Sequence, residues 1–411
     1  MSTVRPFKGI RPRRDLAASI AALPYDVYNT EEARVVVEAN PLSFLKIDRA
    51  ETLFPEGINI YSSEVYLKAR DTLDDMIREG QFVQDEEPCF YIYALTMNGR
   101  TQTGLVGCAS IDDYVNNVIL KHENTLEAKE ADRIRHVDAC SAQTGPIFLA
   151  YRPCDELRGI IRSVCASAPM YDFISDDGIR HQAWKISEAG TISHISQLFA
   201  GIPHLYIADG HHRAASAVKV GLKRRAEDPG FSGDEEYNYF LSVLFPADEL
   251  CIYDYNRVVT NWNGCTFEAF PDMIKDGFEI SGPVDAPCRP SVKGEFGLCW
   301  DGRWYRMKAR PSLYSGDPVH DLDVSILQDH ILEPVFGIKD PKKDPRIRFI
   351  GGIRGLEALE QASKETGGVA FAMYPTSMDE LLSVADAGRL MPPKSTWFEP
   401  KLRSGLFIHR F

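Results

Sequence analysis

Strand-like and helix-like segments alternate along almost the whole chain, and the sequence therefore predicts a mixed α/β (α+β) protein. Two transitions carry that reading. Residues 204–208 are apolar and β-prone and run through Asp209-Gly210 into the Ala-rich stretch 214–218. Residues 348–350 run through Gly351-Gly352 into a helix-forming segment at Leu356. A third signal is Asn98-Gly99, a hairpin dipeptide between the strand-like runs 89–93 and 103–107.

In chain order, Asn29 followed by Glu32 has the form of a capping box and predicts a helix over 31–39, stopped by Pro41. Residues 43–47 then read as a strand. A helix is expected over 61–78, with Val65, Leu67, Leu73 and Ile77 on its apolar side and Gly80 as its C-cap. After the hairpin comes a highly charged stretch, 121–135, and then a strand at 145–151. Helices are expected at 154–166 and 191–199, with a short β segment at 184–186 between them. Beyond the 204–218 transition, strands are expected at 240–245 and within 248–259. The turn-rich run 261–264 suggests a boundary, giving regions 1–262 and 263–411. The second region contains a hairpin at 298–305 and alternating helix and strand over 324–391. The apolar pair Phe407-Ile408 predicts a docked tail.

Composition narrows the function classes. Of 411 residues, 44% are hydrophobic and 26% charged, an ordinary globular balance. The net charge of −13, with Lys and Arg scattered, argues against nucleic-acid binding. Nine cysteines stand singly, with no C-x-x-C pair, which fits reduced thiols better than a disulfide framework or zinc ribbon. No apolar run is long enough to span a bilayer, and the first residues lack a signal-type apolar core. A cytoplasmic protein is expected; composition leaves its oligomeric state open.

The densest chemistry lies at Asp209-Gly210-His211-His212-Arg213. Gly210 permits a sharp turn. The residues after it open a helix, whose unpaired N–H groups and dipole favour an anion. His211, His212 and Arg213 add side-chain donors, and a guanidinium grips phosphate bidentately. Asp209 at the strand end suits a base or a magnesium ligand. A second cluster is Lys121-His122-Glu123 with 129–133. If the stretch is helical, Glu123, Glu127 and Glu130 share a face, either as a base or metal ligand or as a solvated surface. The Gly351–Gly355 turn suits a phosphate or a plain strand–helix connection. Lys394 with Ser395 and Thr396 suits phosphate contact or loop packing. Tyr25 and Asp26, between Pro24 and Val27, suit a turn or a substrate contact. There is no Walker A, G-x-S-x-G or H-E-x-x-H motif.

The sequence resembles the bacterial and archaeal family catalogued as domain of unknown function 1015. The stretches that carry this are Arg5-Pro6-Phe7-Lys8-Gly9, Pro24-Tyr25-Asp26-Val27, residues 40–45, Lys121-His122-Glu123, Asp209–Arg213, Gly351–Gly355 and residues 391–396. The Asp-Gly-x-His-Arg turn also resembles the nucleotide-contacting turn of the ParB/sulfiredoxin-like superfamily, which includes CTP-binding partition proteins, ATP-using sulfiredoxins and free L-serine kinases. That resemblance implies a ParB/sulfiredoxin-like nucleotide-binding core with large additions. It implies Asp209 as catalytic carboxylate, His212 as catalytic or phosphate-binding histidine, and Arg213 as phosphate ligand. A sulfiredoxin needs cysteine where His211 stands, and a partition protein needs a DNA-binding module that the sequence does not signal.

The expectation that survives is a nucleotide-dependent kinase of a small hydroxyl metabolite, L-serine before others, using ATP or ADP with Mg2+. Asp209, His212 and Glu123 are its catalytic candidates. Gly210, His211, Arg213 and Lys394 are assigned to phosphate, and Tyr25, Asp26 and His122 to substrate. The N-terminal glutamate of the serine kinases has no aligned counterpart, and Asp26 or Glu123 would have to replace it. The rival expectation is a non-catalytic nucleotide-binding regulator of the same superfamily.

Overall fold

The computed structural model describes residues 1–411 and divides them into two compact units. The first comprises 1–250 with 400–411, and the second 251–399. The sequence expectation placed one boundary near 262; the chain instead leaves the first unit after Leu250 and re-enters it at Pro400. Pairing explains the return. Ile408 exchanges backbone hydrogen bonds with Ile10, and His409–Arg410 pairs with Ala142–Gln143. Leu406, Phe407 and Ile408 are fully buried in that unit.

The first unit is built on a nine-stranded mixed sheet. Its main path runs Ile119–Leu120, Leu205–Asp209, Ile147–Tyr151, Tyr239–Pro246, Arg100–Ser110, Phe90–Met97, Arg180–Ile186, Tyr171–Ile174. Two neighbouring pairs are parallel, Leu205–Asp209 with Ile119–Leu120 and Tyr239–Pro246 with Ile147–Tyr151. The central strands are apolar on both faces, as a doubly covered sheet requires. Ile92, Leu105, Leu149, Ile207 and Phe240 form one core with Ala214, Ala217 and Val218 of the helix His211–Glu227. A second core gathers Ile10, Ile20, Phe44, Leu45, Leu73, Phe82 and Ile408 among the N-terminal helices.

Local chemistry accounts for most element ends. Asn29 and Glu32 form the expected reciprocal cap on the helix Thr30–Ala39. The helix Ser63–Arg78 follows the expected span, but Leu67 is exposed and the buried stripe is Val65, Ala69, Leu73 and Met76. Residues 43–47 are not a strand. Leu45–Asp48 is a short helix, followed by a 3-10 turn at Ala50–Leu53. A strand would have split the apolar residues between two faces. In the helix Phe44, Leu45 and Ile47 all enter the core, and Lys46 turns out to the carbonyl of Pro41.

The second unit holds a six-stranded antiparallel sheet in the order Phe278–Val284, Arg303–Ala309, Glu295–Trp300, Val369–Ala372, Tyr255–Val259, Ile347–Gly351. The hairpin expected at 298–305 is its Glu295–Trp300/Arg303–Ala309 pair. Gly351 and Gly352 lead through a short 3-10 turn to the helix Gly355–Thr366. Gly352 donates its N–H to the carbonyl of Asp254, and a Cβ there would lie 2.0 Å from the Asp254 carboxylate. This glycine makes room for a buried anion, which is poor surroundings for a phosphate.

In the first unit, residue 403 buries a guanidinium against the hairpin Tyr171–Ile174/Arg180–Ile186. Arg403 Nε donates to His181 Nε2 at 3.3 Å, Nη2 donates to Ser175 Oγ at 3.0 Å, and Nη2 also pairs with Asp177. The other ring nitrogen of His181 meets the Tyr93 hydroxyl at 2.8 Å. Burial, reinforced by Arg403, pushes the His181 pKa down to about 3. The unfolded imidazole titrates near 6.5, so below that pH the unfolded chain takes up a proton that the folded chain refuses. Stability is therefore full above pH 6.5 and falls as pH drops towards 3. At pH 5 the loss from this one group is about 2 kcal/mol relative to pH 8. Urea unfolding at both pH values should give His181→Gln a shallower dependence by roughly that amount. An unchanged pH dependence would show that His181 is not the buried neutral group described.

Candidate active site

The strand Leu205–Asp209 carries the Asp209–Arg213 turn out of the core. Its pairing with Ile147–Tyr151 slips at Asp209, because Ile207 faces Leu149 while Asp209 faces Phe148. Such a bulge re-aims the residue at the strand end. Gly210 follows at φ +90°, a left-handed conformation that L-residues with side chains rarely adopt. A Cβ there would also stand 3.1 Å from Nε and Nη2 of Arg213. Glycine thus allows both the turn and the folding-back of Arg213. The helix His211–Glu227 then begins with no side-chain cap and no acidic residue in its first turn. Its leading N–H groups form an electropositive end.

Asp209 Oδ1 accepts the Gly210 N–H at 2.7 Å, and Oδ2 pairs with Lys401 Nζ at 2.9 Å. Burial works to raise its pKa. Lys401 and Arg213 outweigh burial, holding the carboxyl well below the usual carboxylate range. Asp209 is consequently an anion at any working pH, suited to holding a cation more than to accepting a proton. Its side chain keeps 35% of its exposure, so the turn is open on one side.

His211 turns the other way. It is buried, and its ring meets that of His122 edge-on with centroids 4.5 Å apart. His211 Nε2 has no hydrogen-bond partner. Burial pushes His122 down to about 4, partly offset by Asp209 and the backbone of Ile207, and pushes His211 well below 6.5. Both rings are neutral packing partners under the turn. His212 Nε2 accepts the backbone N–H of Leu126 at 2.9 Å, which places its proton on Nδ1. That bond ties the 121–126 loop to the turn.

The loop corrects one expectation. The helix Glu127–Cys140 starts after Leu126, so Glu123 lies outside it, half-buried in the loop, and does not share a face with Glu127 and Glu130. Glu130 points back to Lys219 and Thr125.

Arg213 bridges from the turn to the segment just before the neighbouring strand. Its Nη1 donates to the carbonyl of Pro146 at 2.6 Å, through space left by Gly145, where a Cβ would lie 3.0 Å from Ser404 Oγ and 3.4 Å from Arg213 Nη1. There it lines a narrow cavity of about 30 Å3 with Tyr25, Asp48, Arg133 and Ser404. A larger cavity of about 240 Å3 shares Tyr25, Asp48, Arg133 and His136 and adds Asp26 and Asp132. The Arg133 guanidinium lies 4.0 Å from the Tyr25 ring centroid and is held by two bonds to Asp132, which also accepts the Tyr66 hydroxyl. Burial pushes the Tyr25 phenol up to about 12, opposed in part by Arg133. Arg49 fixes the Tyr25–Asp26 loop by donating to the carbonyls of Tyr25 and Tyr28 at 3.0 and 2.7 Å.

Tyr25 thus lines both cavities, Asp26 the larger and Arg213 the narrower, and His122, His211 and His212 join the 121–126 loop to the same turn. Lys394 belongs to the second unit, at φ +61° with its ammonium 5.5 Å from the Tyr255 ring centroid. Sequence reading missed Asp48 and Lys401. Asp48 is buried, accepts the Thr144 hydroxyl at 2.8 Å and lines both cavities. No local motif marks either residue, because each acts on a partner far along the chain.

Among the described residues, no group of three His, Cys, Asp or Glu is placed to hold a metal. A magnesium ion carried on phosphates needs only one or two protein carboxylates, and Asp209 fits that smaller demand. No helix is long and apolar enough to cross a membrane.

No curated protein matches the chain. Among solved structures, free serine kinase in complex with AMP is 15% identical, covers 72% of this chain and 90% of its own, and has a TM-score of 0.35. A mutant free serine kinase in complex with ADP is 15% identical, covering 75% and 93%, also at 0.35. C-terminally truncated SbnI from Staphylococcus aureus is 11% identical, covering 74% and 87%, at 0.40. Such scores do not establish a common topology. The sequence match is decisive on another point: the model of the family described as protein of unknown function DUF1015 covers residues 4–325, and the chain belongs to that family.

Proposed function

We propose that the chain is a nucleotide-dependent kinase of a small hydroxyl metabolite, free L-serine before others, working in a reducing cytoplasm. One observation carries the reading: Arg213, in the first turn at an electropositive helix end, lines a narrow cavity that shares Tyr25, Asp48, Arg133 and His136 with a cavity of about 240 Å3 walled by carboxylates and the Arg133 guanidinium. The Asp-Gly-x-His-Arg turn, which resembles that of the free serine kinases, supports it.

Phosphoryl transfer asks the protein mainly to position groups and neutralise charge. The first-turn N–H groups, the Nδ1–H of His212 and the Arg213 guanidinium would meet the phosphates of ATP or ADP. A magnesium ion on those phosphates would screen their charge, and Asp209, kept ionised by Lys401, would hold it. The acceptor would occupy the 240 Å3 cavity beside Tyr25. Its hydroxyl oxygen bonds to the terminal phosphorus as the bond to the departing nucleotide breaks. The hydroxyl proton passes to a carboxylate, for which Asp26 and Asp48 line the cavity and Glu123 lies on the loop tied to His212. Buried His122 and His211 would support the turn without exchanging protons.

The test is turnover with ATP or ADP, Mg2+ and L-serine, read as phosphoserine by mass spectrometry. Nucleotide binding without product from serine or other small hydroxyl compounds would make the protein a regulator instead.

Asp209→Asn should abolish turnover while the thermal midpoint stays within a few degrees, because a partly buried turn carboxylate replaced by an amide of the same shape loses charge more than packing. Turnover kept within about tenfold, roughly 1.4 kcal/mol of barrier, would remove Asp209 from the mechanism. Arg213→Lys keeps the charge and loses the planar fork. We expect its nucleotide KM to rise about tenfold or more, and kinetics matching wild type would mean that Arg213 does not grip phosphate.

A further inference from the structure

The cavity of about 240 Å3 beside Tyr25 is lined by four carboxylates and three cations, so its charges do not cancel. Arg49 pairs with Glu51 at 2.6 Å. Arg133 gives Nε and Nη2 to Asp132 at 2.9 and 2.7 Å. Asp26 and Lys129 are exposed, where water screens them. Asp48 is the charge left over. Drug-sized ligands fill about 300–1,000 Å3, so this space suits a molecule of fewer atoms.

Asp48 is 5% exposed and lines both this cavity and the narrower one beside it. Its side chain accepts one hydrogen bond, from the Thr144 hydroxyl to Oδ1 at 2.8 Å, and forms no ion pair. Arg133 acts on it only through space, because Nε and Nη2 are held by Asp132. In so sheltered a place a leftover negative charge attracts a cation strongly, since little water screens it. His136 lines the same two cavities. A carbonyl can only accept, so the Nε2 that meets the Ile47 carbonyl at 3.0 Å carries the ring proton. Burial, with Arg133 beside it, pushes the His136 pKa down and keeps the ring neutral. Nδ1 is therefore an acceptor, and it has no donor within the protein. The pair offers a ligand one uncompensated negative charge and one unused lone pair.

Resting on the kinase reading of this site, we propose that the cavity recognises its acceptor by a protonated amine, which makes amino alcohols the substrate class. The ammonium gives one N–H to Asp48 and another to Nδ1 of His136, and its charge answers the leftover carboxylate. The carboxylate of an amino acid such as serine lies towards the exposed Lys129. A hydroxy acid of the same length brings a second negative charge and no ammonium. A polyol brings donors and no charge, and leaves Asp48 unanswered. Asp48 is on this assignment a specificity residue, which narrows the acceptor of the hydroxyl proton to Asp26 or Glu123.

Titration calorimetry of the full chain, without nucleotide, compares L-serine and ethanolamine with β-hydroxypropionate and ethylene glycol, which keep the hydroxyl and lose the ammonium. The expected result is binding of the two amines with a Kd on the order of micromolar to millimolar, and binding of their amine-free counterparts weaker by about tenfold or more. Asp48→Asn keeps the shape of the side chain and an acceptor for Thr144. It should weaken L-serine by about tenfold or more and leave β-hydroxypropionate no weaker than before, a split that a merely structural loss does not produce. Should that variant fail to fold, the comparison on the wild-type chain decides alone. Binding of neither amine, or binding of β-hydroxypropionate as tight as that of L-serine, overturns the proposal. Amine binding without phosphoryl transfer supports it and removes the kinase reading instead. Phosphorylation of β-hydroxypropionate as fast as of L-serine does the reverse, keeping the kinase and overturning recognition by the amine.

Discussion

The ion pair between Asp209 and Lys401 is the contact on which the candidate active site depends. A carboxylate at the end of a buried strand, facing the start of a helix, sits in a mixed field. Partial burial works against its charge and the helix end favours it. Lys401 decides the balance and keeps the carboxylate ionised. Arg213 adds to that hold, while its Nη1 donates to the carbonyl of Pro146 at the cavity wall.

Three consecutive residues show how closely the parts are fitted. Thr144 gives its hydroxyl to Asp48, Gly145 has no side chain and so admits both Ser404 and Arg213, and Pro146 offers the carbonyl that Arg213 takes. The strand Ile147–Tyr151 begins immediately afterwards, so one rigid element fixes all three. Each contact joins segments distant in the chain, and together they bring the N-terminal loop, the turn and the 400–411 segment to one place.

That pattern explains what the sequence could and could not reveal. The Asp209–Arg213 turn was legible because its chemistry is local. Glycine, the strand before it and the alanines after it each follow short-range rules, as does the capping box at Asn29 and Glu32. Residues 43–47 were misjudged because an apolar run of that length suits a strand or a buried helical turn equally, and only the N-terminal core decides. Glu123 was misplaced because the start of the helix at Glu127 is set from outside, by the bond from the Leu126 N–H to His212. Asp48, Lys401 and Arg403 act across long sequence separations and leave no periodic trace. The family match adds membership and residue range, while the chemistry rests on the geometry of the site.

The first unit is interrupted, and its closing segment is made only after the whole of 251–399 has been synthesised. During synthesis the nine-stranded sheet emerges early, but Ile10 and Gln143 still lack the partners that Ile408 and His409 later supply. Asp209 is likewise without its ammonium, and Ala22 lacks its backbone partner Ser404. A ribosome-bound chain that has passed Leu250 can thus be largely compact and still unable to present a finished turn. The Asp209–Lys401 pair therefore forms only once translation has moved beyond the inserted unit.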